Sequence, residues 1–266
     1  LEENFKGKII WITGASSGIG REMARQCSKM GALLILSSRR EDALKEVQQE
    51  LSQPENSMVL PLDMVKPEEF PSKVAQVLDR FGRVDLLFNN AGLSQRSHLK
   101  DTGEAVDRQL MEVNYFGPVA LTKALLPQLR KQSKSHIAVV SSLAGKFGFY
   151  ERSAYSASKH ALHGFFEVLR LEEEENNIGV TMLCPGGIKT NISINAVDGS
   201  GNAYGRMSAL QEEGMPVDQC VNRMISAIQS NRKEAIIGKG LENISVKVKA
   251  LFPSLFYRLL KKRKPQ

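Results

Sequence analysis

The sequence predicts an α/β domain, a parallel sheet with crossover helices, on three observations. Short apolar runs alternate with amphipathic stretches along most of the chain. A glycine-rich turn joins the first apolar run to the first amphipathic stretch. The length, 266 residues, is enough to bury one core of this kind.

Strands are expected at 8–13, 33–37, 57–61, 84–88, 136–141, 179–184 and 234–237, each too short for a helix and mainly apolar. Between them, helices are expected near 18–30, 41–52, 67–81, 104–131, 153–175 and 217–229. Residues 1–240 form one domain on this reading, and 241–266 a tail. Residues 191–215, rich in Asn, Ser and Gly, make the longest irregular piece. They follow the sixth strand, and a long loop at that edge of a sheet predicts a mobile lid.

The net charge is +7, but residues 241–266 hold seven Lys and Arg against Glu242, so the other 240 residues carry only +1. A near-neutral body with a basic tail excludes a nucleic-acid-binding face on the domain. Cys27, Cys184 and Cys220 are far apart and form no CxxC, which predicts a reducing compartment without disulfides. Of the four histidines only His160 and His163 are neighbours, with no acidic or cysteine companions in that pattern, and no metal is expected. No stretch approaches the ~20 apolar residues that span a bilayer. A cytoplasmic location follows, peripheral to a membrane if the tail binds one. Leu1 stands where Met would open a chain, so an upstream anchor stays an open alternative.

The turn Thr13-Gly14-Ala15-Ser16-Ser17-Gly18-Ile19-Gly20 has the spacing GxxxGxG. Glycines permit a tight turn and close approach to a pyrophosphate, and the helix that follows offers N–H groups and a positive dipole end. Its place between a strand and a helix predicts a dinucleotide site. An acid near the end of the second strand would accept from the ribose 2′-OH of NAD. Ser38, Arg39 and Arg40 stand there instead. A guanidinium pairs with a 2′-phosphate, so NADP(H) is the expected cofactor, with Arg39 the stronger candidate and Arg40 equally readable as a solvated helix-start residue.

Tyr155 and Lys159 are four apart at the start of a helix and share a face. An ammonium ~4 Å from a phenol, at an effective dielectric near 20, is worth ~4 kcal/mol, enough to draw the phenol towards neutrality. Ser141 and Ser142 end the fifth strand, where a hydroxyl can hold the same substrate oxygen. Asn114 precedes them on a helix, where its amide could anchor a water reaching Lys159.

Together these pieces resemble the short-chain dehydrogenases/reductases. TGASSGIG at 13–20, Asn89-Asn90-Ala91-Gly92, Asn114, Ser142, YSASK at 155–159 and Pro185-Gly186 carry the likeness over residues 5 to about 238. The resemblance implies a doubly wound Rossmann fold with a seven-stranded parallel sheet in the order 3-2-1-4-5-6-7. It implies Tyr155 as general acid or base, Ser142 as the group that polarises the carbonyl, and Lys159 on the nicotinamide ribose. Asn114 would complete a proton relay. Asp63 would meet the adenine, Asn90 with Ala91 and Gly92 the adenosine ribose side, and Pro185, Gly186, Ile188 and Thr190 the nicotinamide. The stretch REMARQCSKMGA, with an arginine after the second strand, is similar to the branch of microsomal hydroxysteroid dehydrogenases and related dehydrogenase/reductase members. That branch is often anchored at the N-terminus.

The expected activity is carbonyl–alcohol interconversion by hydride transfer on a small apolar substrate, a steroid, retinoid, acyl or xenobiotic carbonyl. Leu93, Phe147, Phe149 and Tyr150 suggest the apolar pocket. The alternatives are 3-ketoacyl-carrier-protein reduction and a non-catalytic nucleotide-binding regulator, the second disfavoured by the presence of both Tyr155 and Lys159. A lyase or epimerase would carry a glycine pattern nearer GxxGxxG and a longer C-terminal domain. The long helices 104–131 and 153–175 predict a homodimer or homotetramer. In the tail, Val248, Leu251, Phe252, Leu255, Phe256, Leu259 and Leu260 form one stripe at helical spacing, with a helix start near Pro253. Either the protein's own body or a subunit partner, or an anionic membrane, covers it, with Lys261, Lys262, Arg263 and Lys264 at the helix end.

Overall fold

The computed structural model describes residues 5–262, apart from the side chains of Ala209 and Leu210. Arg263 and Lys264 therefore lie outside the described residues. Seven parallel strands form one sheet in the order β3-β2-β1-β4-β5-β6-β7. They are β1 (Ile9–Thr13), β2 (Leu33–Ser37), β3 (Ser57–Val59), β4 (Leu86–Asn89), β5 (Ser135–Val140), β6 (Ile178–Pro185) and β7 (Glu234–Ile237). The helices are α1 (Gly18–Lys29), α2 (Glu41–Gln49), α3 (Phe70–Phe81), α4 (Glu104–Met111), α5 (Gly117–Leu129), α6 (Ser153–Glu172), α7 (Ala209–Glu212), α8 (Val217–Gln229), α9 (Glu242–Leu251) and α10 (Pro253–Lys261).

The unbroken apolar runs have a direct cause: both faces of each central strand are buried. Ile10 and Ile12 of β1 join one core with Met23, Leu34 and Met224. Ile9 and Trp11, pointing the other way, join a second core with Ile35, Leu125 and Phe166. Trp11 keeps its indole N–H satisfied inside that core by donating to Ser37 Oγ at 2.9 Å.

The chain order reverses at β1, which pairs with β2 on one side and β4 on the other. At such a switch point the crossovers run to opposite faces and leave a crevice beyond the strand ends. Thr13, Asn89 and Ser141 stand at or just past those ends.

Three expectations change. The helix predicted over 104–131 is interrupted by a π-helical turn, Glu112–Phe116. Pro118 lacks the N–H that would close an α-type bond to the Asn114 carbonyl, which favours the wider turn. The segment 191–215 is tied down rather than loose: Val197 bridges Gln95 and Ala203, and Gly199 O accepts from Gly103 N at 2.8 Å. The tail contains two helices, and its stripe divides. Phe256 is buried beside Leu143 and Phe147, while Leu251, Phe252, Leu255 and Leu259 remain exposed.

Candidate active site

The glycine turn is shaped by contacts that admit no side chain. Gly14 has φ 65°, and a Cβ there would meet Asn90 Nδ2 at 2.8 Å. At Gly20 a Cβ would overlap the Gly14 carbonyl. Asn90 locks the turn to β4 by donating from Nδ2 to the carbonyls of Thr13 (3.0 Å) and Gly14 (3.2 Å). Thr13 Oγ1 accepts from the N–H groups of Asn90 and Ala91. Ser17, which precedes α1, makes no side-chain cap, and the first turn of α1 holds no acid. Uncapped N–H groups beside a cradle that a Cβ would fill are a fit for a dinucleotide pyrophosphate.

At the end of β2, Arg39 and Arg40 are exposed. The nearest acid, Glu41, is paired with Lys45 at 2.7 Å, one helical turn on. Asp63 follows β3, its carboxylate accepting from Val65 N. Ser38 is half-buried beside it in the fold, its carbonyl accepting from Leu62 N.

Across the crevice lies a cavity of about 410 Å³. Ser142, Tyr155 and Lys159 line it together with Ile19, Asn90, Gly92, Pro185, Gly186, Ile188 and Thr190. Ser142 caps the 3-10 turn Leu143–Gly145, its Oγ accepting from Ala144 N at 3.1 Å. Tyr155 and Lys159 are both buried on one face of α6. The start of α6 receives no cap from Arg152. Gln95 supplies it from a distant loop, accepting on Oε1 from Ala154 N at 2.9 Å and Tyr155 N at 3.3 Å. The sequence reading missed Gln95, and nothing local marks it.

Lys159 is one of several groups around the Tyr155 phenol. Burial raises the Tyr155 phenol, while the Arg152 guanidinium and the Ser142 hydroxyl act to lower it. Lys159 Nζ lies 5.8 Å from the Tyr155 ring centroid and donates to the Val140 carbonyl at 2.9 Å. Its own ammonium is held down, to about 8, by burial. Both groups are withdrawn from water, and burial works against the charged form of each.

Asn114 sits in the π turn with its amide in use. It donates to Leu93 O and Ser158 Oγ, both at 2.9 Å, and accepts from Leu93 N at 2.7 Å. It thereby ties the segment after Gly92 to α6. A Cβ on Gly92 would stand 3.2 Å from Asn114 Oδ1 and 3.4 Å from Lys159 Nζ, so the three groups converge on one point.

Contrary to the sequence reading, His163 does have acidic and cysteine company. His163, Cys184 and Glu234 bring a nitrogen, a sulfur and an oxygen within 4.8 Å of one another. These two companions come from β6 and β7, too far along the chain for a spacing rule to find, but Glu167, one helical turn on at 3.5 Å, is an acidic neighbour that helical spacing could have shown. Lys146 Nζ already neutralises Glu234 at 2.7 Å, and burial pushes the Cys184 thiol up to about 12. A protonated thiol beside an ammonium is a poor cation site.

Part of the cavity wall is built by the tail. Glu242 accepts from Gly187 N at 3.0 Å and Lys239 N at 2.9 Å, which fastens the start of α9 to the loop after β6. Ile244, Val248, Phe256, Leu259 and Leu260 then line the cavity with Leu143, Phe147 and Phe149. Among the described residues no helix is long and apolar enough to cross a membrane.

Comparison with known proteins places this architecture. The family model for short chain dehydrogenase matches residues 8–200. Dehydrogenase/reductase SDR family member 7B of Mus musculus is 40% identical over 263 residues, spanning 97% of this chain and 81% of its own. The Xenopus tropicalis protein of the same name is 42% identical over 263 residues, spanning 96% and 85%. Among solved structures, a short-chain dehydrogenase from Streptomyces avermitilis superposes with TM-score 0.81 at 28% identity, covering 96% of each chain. A Burkholderia phymatum family protein in complex with NAD superposes with TM-score 0.82 at 22% identity, covering 98% of this chain and 97% of its own.

Proposed function

Because the chain belongs to the short-chain dehydrogenase/reductase family, we propose that it is an NADP(H)-dependent oxidoreductase interconverting a carbonyl and an alcohol on an apolar substrate. One observation carries the reading: Ser142, Tyr155 and Lys159 face the same cavity as the residues around the glycine cradle. A bound nicotinamide would supply or accept the hydride at the substrate carbon. Every other task falls to this chain. Tyr155 gives its proton to the substrate oxygen in reduction and takes it back in oxidation. Ser142, fixed by Ala144 N, holds that oxygen. Lys159, held near 8, can exchange a proton close to neutral pH and contacts the nicotinamide ribose. Asn114 positions α6 against the loop that follows Gly92. Gly14, Ser16, Ser17, Gly18, Ile19 and Gly20 cradle the pyrophosphate, Asp63 meets the adenine, and Arg39 takes the 2′-phosphate.

The preference for NADP(H) rests on the exposed Arg39 and Arg40 and on Glu41 being committed to Lys45. A carboxylate in that place would repel a 2′-phosphate. The test is turnover of a panel of apolar aldehydes and ketones with NADPH and with NADH. No consumption of either cofactor overturns the enzymatic reading, and a preference for NADH overturns the cofactor assignment alone.

Two assembly features belong to the same proposal. Phe116, Val168 and Leu171 are exposed near α5 and on α6, which supports a homodimer or homotetramer. A monomer by light scattering at micromolar concentration would refute it. The exposed half of the tail stripe, with Arg258, Lys261 and Lys262 among it, supports docking on an anionic membrane, where each basic residue near the surface adds about 1 kcal/mol. Sedimentation with anionic and neutral vesicles, for the full chain and one ended after residue 246, decides this.

A further inference from the structure

Two arginines open into a cavity that is otherwise mainly apolar on its substrate side. Arg96 and Arg152 both line it. Arg152 is only 7% exposed, and no carboxylate lies within ion-pair distance of it among the described residues. Its guanidinium donates to Ser94 Oγ and lies 5.4 Å from the Tyr155 ring centroid. Four of its five N–H donors thus have no protein acceptor among the described residues. Arg96 has Glu151 at 3.6 Å, but its Nε is buried and unpartnered. Glu151 is further shared with His98.

Such an arrangement is costly. A buried cation needs a counter-charge or a full set of acceptors, and here one guanidinium has a single carboxylate at 3.6 Å and the other has none among the described residues. Burial and the neighbouring Arg96 charge hold Arg152 down, to about 10. The backbone contributes as well: Glu151, immediately before Arg152, sits at φ 60°, a conformation that a non-glycine residue rarely adopts. Two under-partnered guanidiniums facing one cavity, the second next to a strained residue, are suited to receive an anion.

We propose that Arg96 and Arg152 form an oxyanion subsite within the substrate cavity, so that the preferred substrate is an apolar carbonyl compound carrying a terminal carboxylate or phosphate. The apolar wall formed by Leu143, Phe147, Phe149 and Val248 takes the chain of that molecule, and the two guanidiniums take its charged end. Planar forks suit both anions, each of which offers two or more oxygens to them. This deepens the carbonyl–alcohol reading above and rests on it.

The experiment compares matched substrates with the whole protein and NADPH: a medium-chain ω-oxo acid, its uncharged methyl ester, and the corresponding ω-oxo alkyl phosphate. The expected result is a kcat/KM for one or both anions at least about tenfold above that of the ester, the scale of one charge-assisted hydrogen bond. The better anion identifies the headgroup. Arg152→Gln and Arg96→Gln should each bring the anion-to-ester ratio towards one, a change that general misfolding would not produce. An ester equal to or better than both anions overturns the subsite. If no member of the set is turned over, the oxidoreductase reading fails for this class, and the subsite is still decided by binding. Equilibrium dialysis of the medium-chain alkanoate, alkyl phosphate and alkanol against the wild-type protein should then show an anion bound about tenfold tighter than the alkanol. Equal affinities overturn the proposal.

Discussion

On one side of the cleft the shape is set by main chain. Gly14 and Gly20 approach Asn90 and each other so closely that a single added carbon collides, and Thr13 and Asn90, 77 positions apart, bind the turn to β4 through hydrogen bonds of 3.0 Å. On the other side the wall is assembled from side chains of four separate segments: the turn after β5, the loop after β6, α9 and α10. A main-chain cradle tolerates almost no change and serves one invariant ligand shape. A side-chain wall can be altered residue by residue, and this is where a substrate would be chosen. Tyr155 stands between the two, its backbone held by Gln95 and its ring against Arg152.

Substitutions can break that contrast. The largest effect is expected at the junction: Tyr155→Phe should lower kcat by at least ~10²-fold by removing the proton donor, with NADPH affinity and thermal stability close to wild type. Retained turnover in a folded Tyr155→Phe protein would remove Tyr155 from the chemistry. On the cradle side, Gly20→Val should cost about 1–3 kcal/mol in stability through overpacking and weaken NADPH binding in a fluorescence titration. Binding as tight as wild type would show that the cradle is not set by backbone contact. Arg39→Asp should change the NADPH-to-NADH ratio of kcat/KM by ~10-fold or more, the worth of one charge-assisted pair, while the ranking of carbonyl substrates stays the same. On the wall side, Phe256→Ala should raise KM for the carbonyl by a few-fold and leave the NADPH dissociation constant unchanged. Its stability cost should be about 1–3 kcal/mol, below that of a central core phenylalanine, because α10 can settle against the body. A change in NADPH affinity instead would mean that the two sides are coupled.

The same contrast explains what the sequence disclosed. Strands such as Ile9–Thr13 and Leu33–Ser37 are readable because burial on both faces demands a continuous apolar run. Their ends fell within two residues of expectation, and the strand order followed the family resemblance. The glycine cradle is readable because its requirement is local. What escaped was made by distance. Gln95 meets Tyr155 across 60 positions, and His163 meets Cys184 across 21. Arg152, a charged residue in a loop, has the look of solvated surface until the fold buries it. The helical spacing of Tyr155 and Lys159 correctly put both on one face, but where the ammonium points depends on the Val140 carbonyl, which no spacing reveals. In the tail, the stripe was visible, while its division between cavity wall and exposed face depends on where α10 meets Leu143 and Phe147.

The π-helical turn at Glu112–Phe116 has a further consequence, one of phase. A π turn holds about one residue more than an α turn, so α5 continues α4 with its faces offset by roughly 100° from where an unbroken helix would put them. In that offset setting Leu121, Leu125 and Leu129 are buried in the core, and Gly117 lies against the Met64 carbonyl. Deleting a single residue from the turn would restore a regular helix and turn this apolar stripe away from the sheet. The peculiarity that holds Asn114 in place is thus also the clockwork of a whole face of the domain, and a one-residue deletion there should do more damage than any single substitution in the turn.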